Sequence, residues 1–299
     1  MTPRALSKNI APLQSFPHLS FLFTQKIAHR GLHGFLKLAL KNQFIPENSL
    51  AAFNLAISNH YVIEFDVRLL ADRHLVVFHD HNTKRLTNTS KSLKKISLSE
   101  LQNLQLTPPQ NLPVHSIPLT TISLNHRSPI PLPSLQVIPT LTQTLNLIAG
   151  RTPTLIELKS DLNVNYQKIC QQTFLALSAY RTNFKTTHFA IQSFDPRIIR
   201  WFKRYHPEIP VGLLLTSRPQ ISRLFGLGLL YSPFHALFKP DFLSVDKKLI
   251  RSPILQSRRQ SIPLLCWTIN SENEQKNYQT FFDNSIFDST KYLPSSSPR

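Results

Sequence analysis

The 299-residue sequence contains few cysteines, few acidic residues and no long apolar run, and each shortage narrows the class of protein. Its two cysteines, Cys170 and Cys266, are too few for a disulfide framework and lack the spacing of metal ligands, which favours a reducing, cytoplasmic compartment. No window reaches about 18 uncharged apolar residues, so no membrane span is predicted. Residues 1–23 show no apolar core followed by a cleavage signature, so no signal peptide is predicted either.

The scarcity of acidic residues makes the chain strongly basic. It has 16 Asp and Glu against 34 Lys and Arg, a formal net charge of +18 at pH 7. Such a charge predicts a polyanionic neighbour, which is nucleic acid, an anionic membrane surface or a phosphorylated substrate, and composition does not choose among them. A hydrophobic fraction of 41% predicts a sizeable core. In so acid-poor a chain, a carboxylate flanked by apolar residues is a candidate for function.

Short apolar runs alternate with helix-like stretches along most of the chain. The predicted strands are Lys26–Arg30, Val62–Arg68, Thr154–Lys159, His188–Phe194, Val211–Leu215, Asp241–Asp246, Leu264–Ile269 and Ser285–Asp288. The predicted helices include Ser49–Ser58, Thr140–Ala149, Tyr166–Ala179, Pro196–Tyr205 and Glu272–Phe282. Strands that alternate with helices predict βαβ units and a parallel sheet. Eight such strands in a chain of this length predict an α/β fold of the (β/α)8 TIM-barrel class, whose sites lie at the carboxyl ends of the strands.

The rest of the chain is predicted to be irregular. Residues 1–24 are expected to form an irregular leader, residues 25–293 one domain, and residues 294–299 a flexible tail. The proline-rich segment 106–139 is expected to be an insertion on the surface.

One further run, Leu75–Asp80, does not fit the alternation. It follows Val62–Arg68 too closely for a parallel crossover, which takes a dozen or more residues. The two runs are therefore predicted to form an antiparallel hairpin that adds an extra strand to the barrel and turns at Asp72-Arg73. A two-residue turn at that point places His79 opposite Asp66.

Polar clusters follow several of the predicted strands, and the most informative one contains Glu64 and Asp66. Residues two apart on a strand project from the same face. Two buried like charges repel unless a cation lies between them, and Glu157 on the next barrel strand could add a third oxygen ligand. An all-oxygen site suits Mg²⁺ or Ca²⁺ better than Zn²⁺. A Glu-x-Asp pair that occurs alone is more often a solvated strand end. Here the other polar clusters at the strand ends favour a metal site.

Two histidines and two cations complete the set. His29 and His79 suit proton transfer near neutral pH. Arg30 and Lys159 suit phosphate binding, although either could instead be the salt-bridge partner of a neighbouring acid. Together these parts fit a metal-assisted phosphodiesterase.

Eight segments resemble the glycerophosphodiester phosphodiesterase family, in order and over roughly residues 26–290. They are IAHRG (Ile27–Gly31), PENS (Pro46–Ser49), IEFDV (Ile63–Val67), VVFHD (Val76–Asp80), IPTL (Ile138–Leu141), IELK (Ile156–Lys159), QSFDP (Gln192–Pro196) and WTIN (Trp267–Asn270). The resemblance implies hydrolysis of glycerophosphodiesters to sn-glycerol 3-phosphate and an alcohol. Glycines typical of the family are absent from the last strand, from the position before Glu64 and from the turn at Asp72-Arg73.

The resemblance also implies roles for individual residues. Glu64, Asp66 and Glu157 would be ligands of a divalent cation, commonly Ca²⁺ or Mg²⁺, and His29 and His79 would be the general acid/base pair.

Four more residues receive roles in the same way. Arg30 and Lys159 would bind the phosphate, and Glu47 would orient the active-site network near His29. Trp267 would wall the glycerol pocket. Asn48 and Gln192 are weaker candidates, because polar strand ends often only satisfy backbone groups.

Two other functions are compatible with the sequence. The apolar stretch Ile221–Phe238 and the positive charge favour a lysophospholipase D that acts on lysophospholipids at a membrane surface. The charge also fits a noncatalytic basic protein that binds nucleic acid or anionic membrane, with Lys84–Lys95 as its contact patch. The basic residues do not interleave with aromatics as in known nucleic-acid modules, which disfavours nucleic acid. Peripheral contact with the inner face of the membrane is an expectation from charge; oligomeric state is open.

Overall fold

The regular elements of the chain come from a computed structural model, which describes residues 17–38, 41–109, 116–117, 137–160, 165–217 and 238–291. The strands are β1 (Ile27–Ala28), β2 (Gly34–Leu38), β3 (Lys41–Ile45), β4 (Val62–Leu69), β5 (Leu75–Val77), β6 (Ser116–Ile117), β7 (Thr154–Leu158), β8 (Phe189–Ser193), β9 (Val211–Leu215), β10 (Phe242–Asp246), β11 (Leu264–Ile269) and β12 (Asn284–Phe287). The α-helices are α1 (Leu50–Ser58), α2 (Lys84–Thr87), α3 (Leu98–Gln102), α4 (Leu141–Ile148), α5 (Tyr166–Phe184), α6 (Pro196–Tyr205), α7 (Pro253–Arg258) and α8 (Glu272–Tyr278). The predicted tail 294–299 and most of the segments 106–139 and 221–238 lie outside the described residues.

Eight parallel strands close into a barrel in the order β1-β12-β11-β10-β9-β8-β7-β4. The ring is completed because β4 also pairs with β1, with Ile27 opposite Val62. The predicted (β/α)8 barrel is confirmed. Strands β9 and β11 and helix α6 have the predicted limits, and the side chain of Asp195 caps α6 by accepting the N–H of Arg197. None of the helices within the described ranges has both the length and the apolar character needed to cross a membrane.

The predicted hairpin exists, but its register differs by one residue from the prediction. Strand β5 pairs antiparallel with β4, with Leu75 opposite Leu69 and Val77 opposite Val67. The connection is one residue longer than predicted, with Arg73 in the left-handed region at φ 70°. Asp66 therefore lies opposite Phe78, whose N–H donates to the Asp66 carbonyl at 2.9 Å, and the predicted pairing with His79 is wrong. A shift of one residue exchanges the two faces of a strand, so the position of His79 is not set by pairing with Asp66.

A short 3-10 helix, Pro17–Leu22, closes the lower end of the barrel, where the strands begin. Leu19 and Leu22 are fully buried, because residues three apart share one face of such a helix. We call the apolar layer that they form with the strands the floor cluster: Leu19, Phe21, Leu22, Phe23, Ile27, Val62, Leu155, Ala190, Phe242, Leu265 and Ile286. The prediction of an irregular leader is thus wrong for Pro17–Leu22, because those apolar side chains have a surface to cover. The domain limits at residues 25 and 293 stay predictions.

The floor is tightly filled. Gly212 on β9 leaves the space that the ring of Phe242 occupies, since a Cβ at position 212 would lie 2.1 Å from a ring carbon of Phe242. The ring of Phe242 thus fills the interior space next to β9. The next inward-facing positions, two residues further along three of these strands, are occupied by Glu64, Glu157 and Gln192.

A small second sheet was not predicted. Strands β2 and β3 form an antiparallel hairpin, and β6 adds a parallel strand next to β2. Helix α5 is also longer than predicted, ending at Phe184 rather than Ala179.

Candidate active site

Three carboxylates meet at the upper end of the barrel. Glu64 and Asp66 come from β4 and Glu157 from β7, which pairs directly with β4 so that Asp66 lies beside Glu157. All three residues are buried, and each offers an oxygen within 4.8 Å of the others. We call them the carboxylate cluster. Their convergence is the consequence of parallel pairing, which places equivalent positions of neighbouring strands at one level.

The charges of the carboxylate cluster are unequally compensated. Burial, together with the negative charges of Asp66 and Glu157, raises the pKa of Glu64 well above its usual value. Burial likewise raises the pKa of Glu157. Burial also opposes ionisation of Asp66, but the positive charges of Lys159 and Arg30 outweigh it and hold its pKa well below the usual value. Three buried carboxylates offer the oxygen ligands that a hard divalent cation prefers. The charge of such a cation would lower the raised pKa values of Glu64 and Glu157.

Two cations contact the cluster directly. Lys159 Nζ lies 3.0 Å from Asp66 Oδ1 and 2.5 Å from Glu157 Oε1. Arg30 Nε lies 3.2 Å from Asp66 Oδ2, and the Arg30 backbone N–H donates to Glu64 Oε2 at 3.1 Å. Arg30 and Lys159 thus form salt bridges with neighbouring acids, which is the alternative that the sequence left open. An ammonium has three N–H donors and a guanidinium five, so each cation has donors beyond these contacts.

Asn48 fixes the orientation of Asp66. Its side-chain amide donates to Asp66 Oδ2 at 2.8 Å, while its carbonyl oxygen accepts the Asp66 backbone N–H at 3.2 Å. Its own backbone N–H donates to the Arg30 carbonyl at 3.0 Å. Arg30 and Asn48 both adopt left-handed backbone conformations, with φ of 56° and 54°. Asn48, a weaker candidate from the sequence, therefore joins the β1 loop to β4 at the site.

Glu47 lies between two arginines. Arg30 Nη1 donates to Glu47 Oε1 at 2.7 Å, and Arg85 donates from Nη1 to Oε2 at 2.9 Å and from Nη2 to Oε1 at 2.6 Å. Burial opposes ionisation of Glu47, but the two guanidiniums outweigh it and lower its pKa. Glu47 thus contacts the predicted phosphate-binding residue Arg30. The predicted effect on His29 is not among the contacts described.

His79 forms a dyad with the residue that follows it. Its Nδ1 lies 2.7 Å from Asp80 Oδ1, and Arg85 Nε donates to Asp80 Oδ2 at 2.6 Å. Burial opposes ionisation of Asp80, yet its bonds to His79 and Arg85 lower its pKa to about 2. Burial and the positive charge of Lys159 lower the pKa of His79 to about 4. At neutral pH the carboxylate can only accept, so Nδ1 carries the proton and Nε2 is the free base.

His29 follows β1 directly. Its backbone N–H donates to the Phe287 carbonyl at 3.0 Å, which anchors it to β12. Burial and the nearby charge of Arg30 lower the pKa of His29 to about 3, against the opposing charges of Asp288 and Asp66. Burial thus lowers the pKa of both predicted histidines.

Two other predicted site residues lie on strands β8 and β11. Gln192 on β8 is buried, and its amide lies 3.4 Å from Glu64 Oε1. Trp267 stands on β11, where its ring packs edge-on against Phe194 with centroids 5.8 Å apart.

Asp80 and Arg85 are members of the site that the sequence does not predict. Asp80 directly follows a candidate histidine, and that adjacency was the available indication. Arg85 belongs to the basic run Lys84–Lys95, for which the sequence predicts a surface patch. Lys84, Lys91, Lys94 and Lys95 are exposed, whereas the Arg85 guanidinium binds Glu47 and Asp80.

The fold and the site together define a TIM-barrel protein whose upper end gathers three buried carboxylates, two cationic side chains and two histidines. The model of the glycerophosphoryl diester phosphodiesterase family matches residues 29–286. The chain belongs to this family and is a phosphodiesterase.

Individual relatives give the same result. A glycerophosphodiester phosphodiesterase of Caldanaerobacter subterraneus subsp. tengcongensis is 27% identical over 258 residues, which cover 85% of this chain and 88% of the relative. The YhdW protein of Bacillus subtilis is 28% identical over 253 residues, 82% and 86% of the two chains. A phosphodiesterase of Oleispira antarctica, solved in complex with the product sn-glycerol-3-phosphate, superposes with a TM-score of 0.61 at 20% identity, over 90% of this chain and 94% of that one. The last similarity concerns the fold alone.

Proposed function

We propose that the protein hydrolyses glycerophosphodiesters to sn-glycerol 3-phosphate and an alcohol, with Mg²⁺ or Ca²⁺ held by Glu64, Asp66 and Glu157. The observation that carries the proposal is the approach of three buried carboxylates to within 4.8 Å, with Arg30 and Lys159 in contact with them. When bound, the cation would neutralise charge that builds on the phosphate oxygens. The family membership supports the substrate class.

Arg30 and Lys159 are proposed to hold the phosphate. Both are largely buried, with 15% and 12% of their side chains exposed, so they meet a phosphate in a site with little solvent screening. Arg30 is held at Nη1 by Glu47 and faces Asp66 with Nε, which fixes the plane of its guanidinium. A fixed fork suits bidentate contact with two phosphate oxygens, and the lysine supplies a point charge beside it.

His29 and His79 are proposed to exchange the protons of the reaction. One accepts the proton of the attacking oxygen, and the other donates a proton to the departing alkoxide. The attacking group is water or the adjacent glycerol hydroxyl. Asp80 holds His79 in the tautomer that leaves Nε2 free, which is the form needed to accept a proton. Trp267 is proposed to form the wall against which the glycerol carbons pack.

The test is release of sn-glycerol 3-phosphate from glycerophosphocholine. The purified protein is assayed with EDTA and again after Mg²⁺ or Ca²⁺ is restored in excess. We expect product formation to stop with the chelator and to return with the metal. Steady product formation in EDTA would contradict the role of the carboxylate cluster, and silence under both metals would contradict the substrate.

The alternatives from the sequence enter the same assay. The lysophospholipase D alternative rests on residues 221–238, most of which lie outside the described residues, and no described contact favours it. Lysophosphatidylcholine as a second substrate tests it directly. The cytoplasmic location and peripheral contact with an anionic membrane stay proposals, motivated by two buried free cysteines and the charge of +18. Sedimentation with anionic vesicles would test the second.

A further inference from the structure

Arg85 binds two carboxylates at once. It belongs to the short helix α2, and its guanidinium donates from Nε to Asp80 and from both terminal nitrogens to Glu47, over 2.6–2.9 Å. Its two bonds to Glu47 form the parallel, bidentate geometry in which arginine forks bind carboxylates most strongly, and a single bond from Nε holds Asp80. These bonds raise the pKa of Arg85 against the opposing effect of burial, so the guanidinium stays charged.

Each of these carboxylates holds a residue of the proposed chemistry. Asp80 accepts from Arg85 with one oxygen and contacts His79 Nδ1 with the other. Glu47 accepts from Arg85 with both oxygens and from Arg30 Nη1 with Oε1. The result is a continuous path, His79–Asp80–Arg85–Glu47–Arg30, in which every link is 2.9 Å or shorter.

We propose that Arg85 is a positioning residue that couples the proton-transferring His79 to the phosphate-holding Arg30. The inference rests on the proposed function, because it uses the roles given there to His79 and Arg30. Arg85 holds the two carboxylates at a fixed separation, and each carboxylate in turn fixes the ring or fork it binds. Networks of charge-assisted bonds of this kind polarise and orient one another.

The geometry disfavours direct substrate binding by Arg85. Three of its donors already point at carboxylate oxygens, whereas a phosphate-binding guanidinium needs its outer edge for the ligand. Lysine could not replace it, since one ammonium cannot present a planar fork to Glu47 and a third fixed donor to Asp80. The nearby basic residues differ from Arg85, because Lys84, Lys91 and Lys94 are exposed.

The first experiment measures kcat and KM of Arg85→Lys and Arg85→Gln on glycerophosphocholine with saturating metal. We expect kcat to fall and KM to rise, with kcat/KM about 10- to 100-fold lower, the usual effect of losing a residue that orients a functional group. The matched control is Arg259→Lys, because Arg259 also binds a buried carboxylate, Asp283, from Nε and Nη2 at 3.1 and 2.9 Å, away from the site. Equal kinetics for the Arg85 and Arg259 variants would overturn the proposal.

A second readout does not depend on turnover. Nitrogen-15 NMR of the histidine rings, with the His79 signal assigned from His79→Gln, reports its tautomer and its titration. The charged groups that act on the ring are Asp80, Asp66, Lys159 and Arg30. Arg85 acts on it through Asp80. Removing the Arg85 charge frees Asp80 to attract a proton on the imidazole. In Arg85→Gln we therefore expect His79 to titrate at higher pH, and the acid limb of the rate profile to move with it.

The coupling itself is tested by a double-mutant cycle of Asp80→Asn and Glu47→Gln. We expect the two losses in kcat/KM to be non-additive in the native protein and additive when Arg85 is Gln. Additivity in both backgrounds would overturn the coupling. If the wild-type protein shows no hydrolysis, the proposed function is contradicted. The NMR titration does not need turnover, so an unchanged His79 titration in Arg85→Gln contradicts the inference about Arg85 by itself.

Discussion

The two ends of the barrel interior are built from the same strands with opposite chemistry. At the lower end the floor cluster is apolar throughout and closed by Leu19 and Leu22. At the upper end the carboxylate cluster is buried as well, although it is charged, and its cations Arg30 and Lys159 are partly buried. Only two residues along a strand separate the layers, as Val62 and Glu64 show on β4.

This difference separates stability from function. Burying an apolar side chain contributes about 1.5–3 kcal/mol to folding. A buried ion pair contributes little, because the loss of hydration offsets the attraction, and surplus carboxylates such as Glu64 oppose folding. We therefore expect changes in the upper layer to alter chemistry more than stability, and changes in the floor to do the reverse.

The largest expected effect is that of Glu64→Gln. The amide keeps the shape of the side chain and removes a ligand charge, so we expect divalent-dependent hydrolysis to fall about 10⁴-fold, a loss of several kcal/mol of transition-state stabilisation. Because the negative charges of Asp66 and Glu157 already oppose ionisation of Glu64, we expect the metal-free variant to unfold at the same or a higher temperature. Activity assays and thermal unfolding in EDTA measure the two effects.

The control for this change is Glu100→Gln, the same substitution on an exposed helix cap in α3. It should leave turnover unchanged. The metal also provides a readout without substrate, since Mg²⁺ or Ca²⁺ should raise the unfolding temperature of the native protein and not that of Glu64→Gln. A metal-induced rise of equal size in both would contradict the ligand role.

The next effect in size is that of His79→Gln. Positioned proton transfer contributes about 10²- to 10⁴-fold, and we expect a loss of about 10²- to 10³-fold in kcat with little change in KM. His74→Gln is the control, because His74 is an exposed histidine that pairs with Asp72 in the turn before β5. Normal turnover after loss of His79 would contradict its proposed role, whatever the result for His74.

The sequence was sufficient for the barrel and for the members of the carboxylate cluster. Strand limits such as Val211–Leu215 follow from apolar runs, and the ends of parallel strands must meet at one end of a barrel. Because Glu64, Asp66 and Glu157 each sit within such a run, their convergence needed no information about distant contacts. The same reasoning gave the general place of His29, directly after β1.

The sequence did not predict features that depend on the exact register of a hairpin or on a partner distant along the chain. The hairpin turn is one residue longer than its sequence indicated, which moves His79 away from the position opposite Asp66. Arg85 lies 38 residues from Glu47, and nothing local distinguishes it from the lysines around it. The burial of Leu19 and Leu22 depends on the open lower end of the barrel, which exists only after all the strands have paired.

The floor supplies the third prediction, Leu22→Ala. Removing a fully buried leucine costs about 2–5 kcal/mol, from lost transfer free energy and the cavity left behind. We expect that loss in the free energy of unfolding, while kcat/KM stays within about twofold at temperatures where the variant is folded. Leu175→Ala is the control, because Leu175 is 59% exposed and should cost little. A large fall in kcat/KM for folded Leu22→Ala would contradict the separation of the two layers.

The smallest expected effect is a pH dependence of stability that comes from the upper layer. Burial lowers the pKa of His79 from its ordinary 6.5 to about 4, so between these values the unfolded chain binds a proton that the folded chain does not. Stability contributed by His79 is therefore complete above pH 6.5 and is lost as the pH falls towards 4. The difference between the two pKa values corresponds to about 3 kcal/mol, and solvent screening of a ring that is 30% exposed reduces the expected loss to about 1–2 kcal/mol. Glu64 and Glu157, whose pKa values are raised, oppose this trend in the whole protein.

The contribution of His79 is isolated by comparing the native protein with His79→Gln in urea unfolding, in EDTA, at intervals from pH 4 to 7.5. Because the other groups titrate in both proteins, the difference between the two free energies of unfolding should grow as the pH rises to 6.5 and then level off. A difference that shrinks with rising pH would mean that folding raises the pKa of His79. The ring would then be cationic in the site, suited to giving a proton rather than accepting one, and the tautomer assigned through Asp80 would be wrong.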